Sequence, residues 1–130
     1  IPFDEELVLY ADGQPTYSME SGYAMAMRLL ESGKEFTCIY AISDNIAVGA
    51  CKALFNAGKK VPDDYTEASF DGLPLAEYYE PSITTMRQPT KEMTEATIKL
   101  LFDLIRKKPV EFRQVYEAEL VVRQSTKRIQ

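Results

Sequence analysis

The sequence predicts an α/β fold: a parallel sheet in a three-layer arrangement, with helices on both faces. Two observations lead to this fold class. Apolar runs at residues 36–42 and 65–70 alternate with segments in which apolar residues recur at helical spacing. The run at 36–42 is also nearly continuous rather than alternating with polar residues, which is typical of a strand buried on both sides of a parallel sheet. Helices that alternate with such strands indicate parallel βαβ connections.

The helical segments can be placed by their apolar spacing and by the residues that flank them. We predict helices over residues 18–32, 43–57 and 91–107, a single turn over 74–79, and further extended segments at 83–86 and 115–122. Asp44 immediately precedes the apolar stripe of the second long helix, so we expect its side chain to cap that helix. Gly13 and Pro15 indicate a loop before the first helix.

Composition narrows the classes of function. The 130-residue chain has a net charge of −5 and a pI near 4.8, which disfavours nucleic acid binding by this chain alone. Its two cysteines, Cys38 and Cys51, are too few for a disulfide framework, and we expect both to be buried. No apolar run reaches the length of a membrane-spanning helix. We expect no cofactor.

Polar side chains come at the ends of the predicted strands. Ser43, Asp71 and Gln88 follow three strands, and ligands of open parallel sheets bind beyond such carboxyl ends. Tyr17, just before the first helix, could reach the same edge. A hydroxyl, a carboxylate, an amide and an aromatic ring together suit a small polar ligand. Asp71 is equally well explained as a turn residue before Gly72, and Tyr17 as a packed loop aromatic.

Catalysis finds little support in the sequence. The chain has no histidine, which removes the usual general base and the commonest zinc ligand. Its serines do not form a nucleophile elbow, and its glycines do not form a phosphate-binding loop. We therefore expect a binding domain and no enzyme.

Six sequence blocks resemble the C-terminal part of bacterial transcriptional regulators of the lactose/galactose repressor (LacI/GalR) family. They occur in order along the chain: SGY at 21–23, SDNIAVGA at 43–50, GKKVPDD at 58–64, FDG at 70–72, PSITTMRQP at 81–89 and LVVRQST at 120–126. The resemblance implies part of a two-lobed, periplasmic-binding-protein-like (type I) effector domain that binds a small molecule between its lobes, with a sugar as the expected ligand. It also implies a cytoplasmic homodimer that contacts operator DNA through a separate N-terminal head.

The resemblance also implies roles for individual residues. In the family the positions of Tyr17, Ser43, Asp71 and Gln88 lie at the effector, with Tyr17 stacking and Asp71 anchoring. Dimer contacts would come from two parts of the chain: Ala50, Ala53 and Leu54 on the second helix, and Leu75, Tyr78 and Tyr79 in the short turn. Residues 1–88 would belong mainly to the second lobe, residues 89–114 would pack on a first lobe that is largely absent, and residues 115–130 would return to the second lobe. We expect the DNA-binding head to lie outside these residues as well.

Three positions depart from the family pattern, and one of them is Thr94, which replaces a common glycine in the last helix. Glu67 and Ser69 stand where an apolar residue and a glycine are usual. Because a carboxylate is costly in a buried strand, we expect that strand to lie at a sheet edge or to fray. The alternative function is a periplasmic sugar receptor for transport or chemotaxis, but the Thr-Thr and Arg-Gln-Ser-Thr blocks favour the regulator.

Overall fold

The computed structural model describes residues 3–11 and 15–128; Gly13 lies outside these ranges. A 3-10 turn spans Glu5–Leu7. The helices and strands then follow as α1 (Met19–Glu31), β1 (Cys38–Tyr40), α2 (Asp44–Asn56), β2 (Thr66–Asp71), α3 (Pro74–Tyr78), β3 (Thr84–Arg87), α4 (Thr90–Ile105) and β4 (Glu119–Val121). Each predicted helix and strand is present, with ends that differ from the predicted ones by a few residues.

The four strands form one open sheet in the order β1-β2-β3-β4. β1, β2 and β3 are parallel, which confirms the α/β fold with a parallel sheet. β4 pairs with β3 in the antiparallel direction, a common arrangement at the edge of a parallel sheet. The parallel strands bring the ends of β1, β2 and β3 to one edge, next to the first turn of α2.

Two glycines allow α1 and α2 to touch backbone to backbone. A Cβ on Gly22 would lie 2.1 Å from the carbonyl oxygen of Ile46, and one on Gly49 would lie 1.9 Å from that of Met19. Neither distance is compatible with a side chain. Ala26, Ala50 and Ala53 then fill the contact with small apolar side chains. The close approach fixes the first turn of α2, and with it the position of the candidate site.

This packing corrects part of the predicted dimer interface. Ala50, Ala53 and Leu54 are at most 2% exposed, because they face the interior of this chain. Ala50 and Ala53 pack with Ala26 of α1. These three side chains are therefore unavailable to a second subunit, and the prediction is wrong for them. The solvent side of α2 instead carries Lys52 and Phe55.

β1 is shorter and more exposed than the sequence predicts. It spans only Cys38–Tyr40, and Tyr40 is 60% exposed. The expectation of a strand buried on both faces is wrong because β1 is an end strand with β2 as its neighbour. Cys38 is exposed for the same reason, contrary to prediction, whereas Cys51 is buried as predicted.

β2 occupies an inner position, between β1 and β3, so the expected edge or frayed strand is wrong. Glu67 on this strand is fully buried. Its Oε2 accepts a hydrogen bond from Cys51 Sγ at 2.7 Å. Burial raises the pKa of the Glu67 carboxyl to about 8, although the Cys51 bond lowers it. The strand tolerates this residue because the carboxyl is neutral, and a neutral acid costs far less to bury than a carboxylate.

α4 is amphipathic, as its spacing predicts, but its apolar side faces solvent in this structure. Every residue of α4 is at least partly exposed. The large apolar side chains concerned are between 41% and 67% exposed: Ile98, Leu101, Phe102, Leu104 and Ile105. A surface of this kind is typical of a helix that packs against a further domain or chain.

Candidate functional site

Asp71 and Gln88, two of the four predicted site residues, are in direct contact. The Gln88 side-chain amide donates a hydrogen bond to Asp71 Oδ1 at 2.9 Å. The backbone N–H of Gln88 also donates to the carbonyl oxygen of Asp71, at 3.0 Å. Both side chains are only partly buried. The edge of the sheet thus presents a carboxylate next to an amide, each with capacity left for a ligand.

The turn that follows β2 has an unusual backbone. Asp71 has a φ of 118° and Gly72 a φ of 80°. Non-glycine residues rarely adopt such values, at a cost of about 1–3 kcal/mol, and they do so mainly where the surroundings hold them. A Cβ on Gly72 would lie within 2.6 Å of Arg87. The turn is therefore pressed closely against β3, beside the contact of the Asp71 carboxylate with Gln88.

Ser43 caps α2, which corrects the cap predicted for Asp44. The Ser43 side chain is the N-cap and accepts a hydrogen bond from the backbone N–H of Ile46 at 3.3 Å. Ser43 is only 3% exposed. Asp44 is the first residue of the helix, where its own side chain points into the protein. Sequence spacing cannot distinguish these neighbours, because both residue types are good caps.

Asp44 is instead the centre of a buried hydrogen-bond network. Its Oδ1 accepts from the Ser69 hydroxyl at 2.5 Å and from the Thr85 hydroxyl at 2.7 Å. Its Oδ2 accepts from the backbone N–H of Leu73 at 2.5 Å. Asp44 is fully buried. One side chain thus joins α2 to β2, to β3 and to the turn after β2.

The environment of Asp71 is mildly unfavourable to its charge. Partial burial raises the pKa of this carboxyl above its ordinary value, and the charge of Asp44 raises it further. The hydrogen bond from Gln88 and the backbone N–H of Asp44 act in the opposite direction. A ligand hydroxyl that donated to Asp71 would add a bond to its charged form and so lower this pKa.

Tyr17 lies beside an apolar cavity rather than at the carboxylate. It has a φ of 62° and is 54% exposed. The cavity has a volume of about 280 Å³, and Tyr17 shares its lining with Tyr40, Ile42 and Met25 among others. Asp71, Gln88 and Ser43 do not line it. Ile42 directly precedes Ser43, so the cavity opens near the site without containing its polar groups.

The sequence did not reveal Thr85 or Ser69 as partners of Asp44. Thr85 lies 41 positions away and Ser69 lies 25 positions away, so only the folded sheet brings them together. One feature of the sequence drew attention to Ser69, since this position departs from the glycine noted above for the family. Its hydroxyl has a buried acceptor, which explains why a polar side chain fits there.

The arrangement can bind but offers little for catalysis. Within residues 3–11 and 15–128, no group of three His, Cys, Asp or Glu side chains could hold a metal ion. In the same part of the chain, no helix is long and apolar enough to cross a membrane. The Asp71 carboxylate accepts hydrogen bonds, and the Gln88 amide both donates and accepts. These groups match the hydroxyls of a small polar molecule.

Comparison with known proteins identifies the domain. A family model described as a periplasmic binding protein-like domain matches residues 7–126. The chain belongs to this family. The HTH-type transcriptional regulator MalR of Clostridium butyricum is 38% identical to this periplasmic binding protein-like domain over 125 residues, which are 96% of the chain and 36% of MalR.

Solved structures of regulators share the fold. The transcription regulator CcpA of Lactococcus lactis has a TM-score of 0.85 and 38% identity, covering 98% of this chain and 45% of that one. A LacI family transcriptional regulator from Enterococcus faecium with bound ribose has a TM-score of 0.77 and 32% identity, covering 87% and 42%. These matches confirm the resemblance to LacI/GalR regulators. All three proteins are named as transcriptional regulators and not as enzymes, and the chain spans less than half of each.

Proposed function

We propose that the chain is the ligand-sensing and dimerising part of a bacterial transcriptional regulator whose effector is a small polar molecule, with a sugar as the best candidate class. The contact between Asp71 and Gln88 at the sheet edge carries the proposal. It places an acceptor and a donor side by side in partly exposed positions. The ribose bound to the Enterococcus faecium regulator supports the ligand class.

Each of the four predicted residues would make a different contact with the ligand. Asp71 accepts hydrogen bonds from two sugar hydroxyls, and Gln88 turns its amide between Asp71 and the ligand. Ser43 contributes its hydroxyl proton, because its oxygen already accepts from Ile46. Tyr17 covers an apolar ring face, for which its 54% exposure leaves room.

Regulation would follow from the arrangement of lobes. Residues 1–88 and 115–130 would form most of one lobe, and the exposed apolar side of α4 would pack on the other. A sugar held between the lobes favours the closed arrangement over the open one by its extra contacts. That shift would alter the affinity of a separate DNA-binding head for operator DNA in the cytoplasm.

A homodimer would use the side of α2 and α3 that faces solvent. Tyr78 is 83% exposed and Phe55 is 70% exposed. Leu75 and Tyr79 are partly buried beside the same helices. Two large aromatic side chains left in solvent suit the centre of an interface between subunits.

An operator-binding experiment with the full-length protein tests the proposal. Fluorescence anisotropy of a labelled operator would be measured with and without sugar, for the wild type and for Asp71→Asn. We expect the variant to bind operator normally and to lose most of its response to sugar. Asp63→Asn, an exposed substitution of the same kind, is the control. A normal sugar response in Asp71→Asn would remove Asp71 from the site.

A further inference from the structure

Asp44 lies directly behind the candidate site and is not exposed to any ligand. Its carboxylate receives three hydrogen bonds, and the donors come from β2, β3 and the turn after β2. Ser69 and Thr85 are paired neighbours on adjacent strands. Both hydroxyls donate to the same oxygen, Oδ1. The carboxylate is thereby held in one orientation, and its other oxygen points at the backbone of the turn.

The bond from Leu73 to Oδ2 acts on the backbone that carries Asp71. Asp71 has a positive φ that a non-glycine residue adopts mainly where its surroundings hold it, and Gly72 follows with a positive φ that costs glycine nothing. Leu73 is anchored by Asp44 at 2.5 Å, and the carbonyl of Asp71 is anchored by the Gln88 N–H at 3.0 Å. These two bonds hold the turn at either end.

The geometry points to Asp44 as a positioning residue: its buried carboxylate holds the turn of residues 71–73 so that the Asp71 carboxylate faces the ligand. This inference rests on the proposed effector site at Asp71 and adds the group that shapes it. Asp44 never touches the ligand, and it acts only through Asp71. Its effect on binding should therefore depend on Asp71 being present.

Hydrogen exchange in the full-length protein gives the first test. In Asp44→Asn we expect the amides of Leu73 and Gln88 to exchange about tenfold faster than in the wild type, because the charge-assisted bond to the turn is weakened. Exchange within the middle of α2 should stay unchanged. Unchanged protection of Leu73 would overturn the inference. Faster exchange throughout the domain would also do so, because it would indicate a general structural role.

A gentler variant covers the case in which Asp44→Asn does not fold. Thr85→Val keeps the shape of the side chain and removes one of the two donors to Oδ1. We expect a smaller increase in the exchange rate of Leu73, confined to the turn. No increase in a folded Thr85→Val protein would count against the inference.

A double-mutant cycle gives the second test. Binding of D-ribose, maltose and lactose would be measured by calorimetry for Asp44→Asn, Asp71→Ala and the double variant. We expect Asp44→Asn to weaken binding about tenfold in the wild-type background and less than about twofold in the Asp71→Ala background. If the losses of binding free energy in the two single variants add up in the double variant, Asp44 acts independently of Asp71. That result would overturn the positioning role and leave the proposed function standing. If Asp71→Ala bound sugar normally, or no sugar bound the wild type, the proposed function would fail, and the exchange of Leu73 would still decide the role of Asp44.

Discussion

The side-chain amide of Gln88 donates a hydrogen bond to the carboxylate of Asp71 at 2.9 Å, and a second bond joins their backbones. Gln88 follows β3, and Asp71 ends β2. The pair therefore ties together the ends of two neighbouring strands at the edge where parallel sheets bind ligands. A carboxylate that already has an amide partner is fixed in direction before any ligand arrives.

The φ of 118° at Asp71 predicts that binding and stability respond differently to substitution. Asp71→Gly and Asp71→Ala both remove the carboxylate, so both should lose most of the response to sugar. Glycine adopts this backbone without strain. The free energy of unfolding of Asp71→Gly should therefore be about 1–2 kcal/mol higher than that of Asp71→Ala. Urea unfolding of the two variants checks this difference. Equal stabilities would show that the turn is unstrained.

Gly49 should tolerate alanine poorly. The new Cβ would lie 1.9 Å from the Met19 carbonyl oxygen, and backbone atoms cannot move aside as a side chain would. We expect Gly49→Ala to lower the free energy of unfolding by about 3 kcal/mol, the upper part of the usual range for overpacking. Gly33→Ala is the control. Its site is open but has a φ of 71°, so the expected loss is about 1 kcal/mol. Chemical denaturation would measure both, and a tolerated Gly49→Ala would contradict the backbone contact of α1 and α2.

Glu67 should make the domain less stable as the pH rises. Its pKa is about 8 in the folded protein and ordinarily 4.5, so between these values the folded state holds one more proton than the unfolded state. The contribution of this extra proton to the free energy of unfolding is fully present below pH 4.5. It declines by up to about 1.4 kcal/mol per pH unit as the pH rises, until the folded carboxyl ionises near pH 8.

The substitution Glu67→Gln tests this dependence, because an amide keeps the shape of the neutral acid and does not titrate. The variant should lose less stability than the wild type between pH 5 and pH 8, as measured by urea unfolding at several pH values. Glu80→Gln, at an exposed position, is the control. A wild type as stable at pH 8 as at pH 5 would show that Glu67 is ionised when folded.

The exposed apolar side of α4 predicts self-association of the isolated 130-residue chain. Leu101 and Ile105 are 55% and 67% exposed, and water makes such a surface unfavourable unless another surface covers it. Sedimentation velocity over a wide concentration range should show oligomers. The double variant Leu101→Glu and Ile105→Glu should be less associated, with Lys99→Glu as a control on the polar side. A wild-type chain that stayed monomeric throughout would contradict the expectation.

Periodicity predicted the helices and strands, because these depend on local apolar spacing, and their alternation predicted the parallel direction that β1, β2 and β3 share. It also placed Asp71 and Gln88 at the same sheet edge, since parallel strands end together. Periodicity did not show whether the apolar side of a helix packs against its own chain or against a second subunit. Ala50, Ala53 and Leu54 were therefore predicted at a dimer interface, whereas they lie in the interior.

The sequence did not predict which side chains form hydrogen bonds with the buried polar residues. Asp44 looked like a helix cap because serine and aspartate adjoin at the start of α2, and only the folded sheet brings Ser69 and Thr85 to its carboxylate. Glu67 suggested an edge strand because a buried charge is costly. In the folded structure burial raises the pKa of this carboxyl and Cys51 donates a hydrogen bond to it, and both effects depend on tertiary contacts.

We propose that Asp71 anchors a small polar effector of a transcriptional regulator. Calorimetric titration of the full-length protein with sugars, sugar phosphates and nucleobases tests this role of Asp71. We expect at least one sugar to bind the wild type with a Kd below about 1 mM, and Asp71→Asn to weaken this binding about tenfold or more. Equal affinity for the wild type and Asp71→Asn, or no binding by any of these compounds, would contradict it.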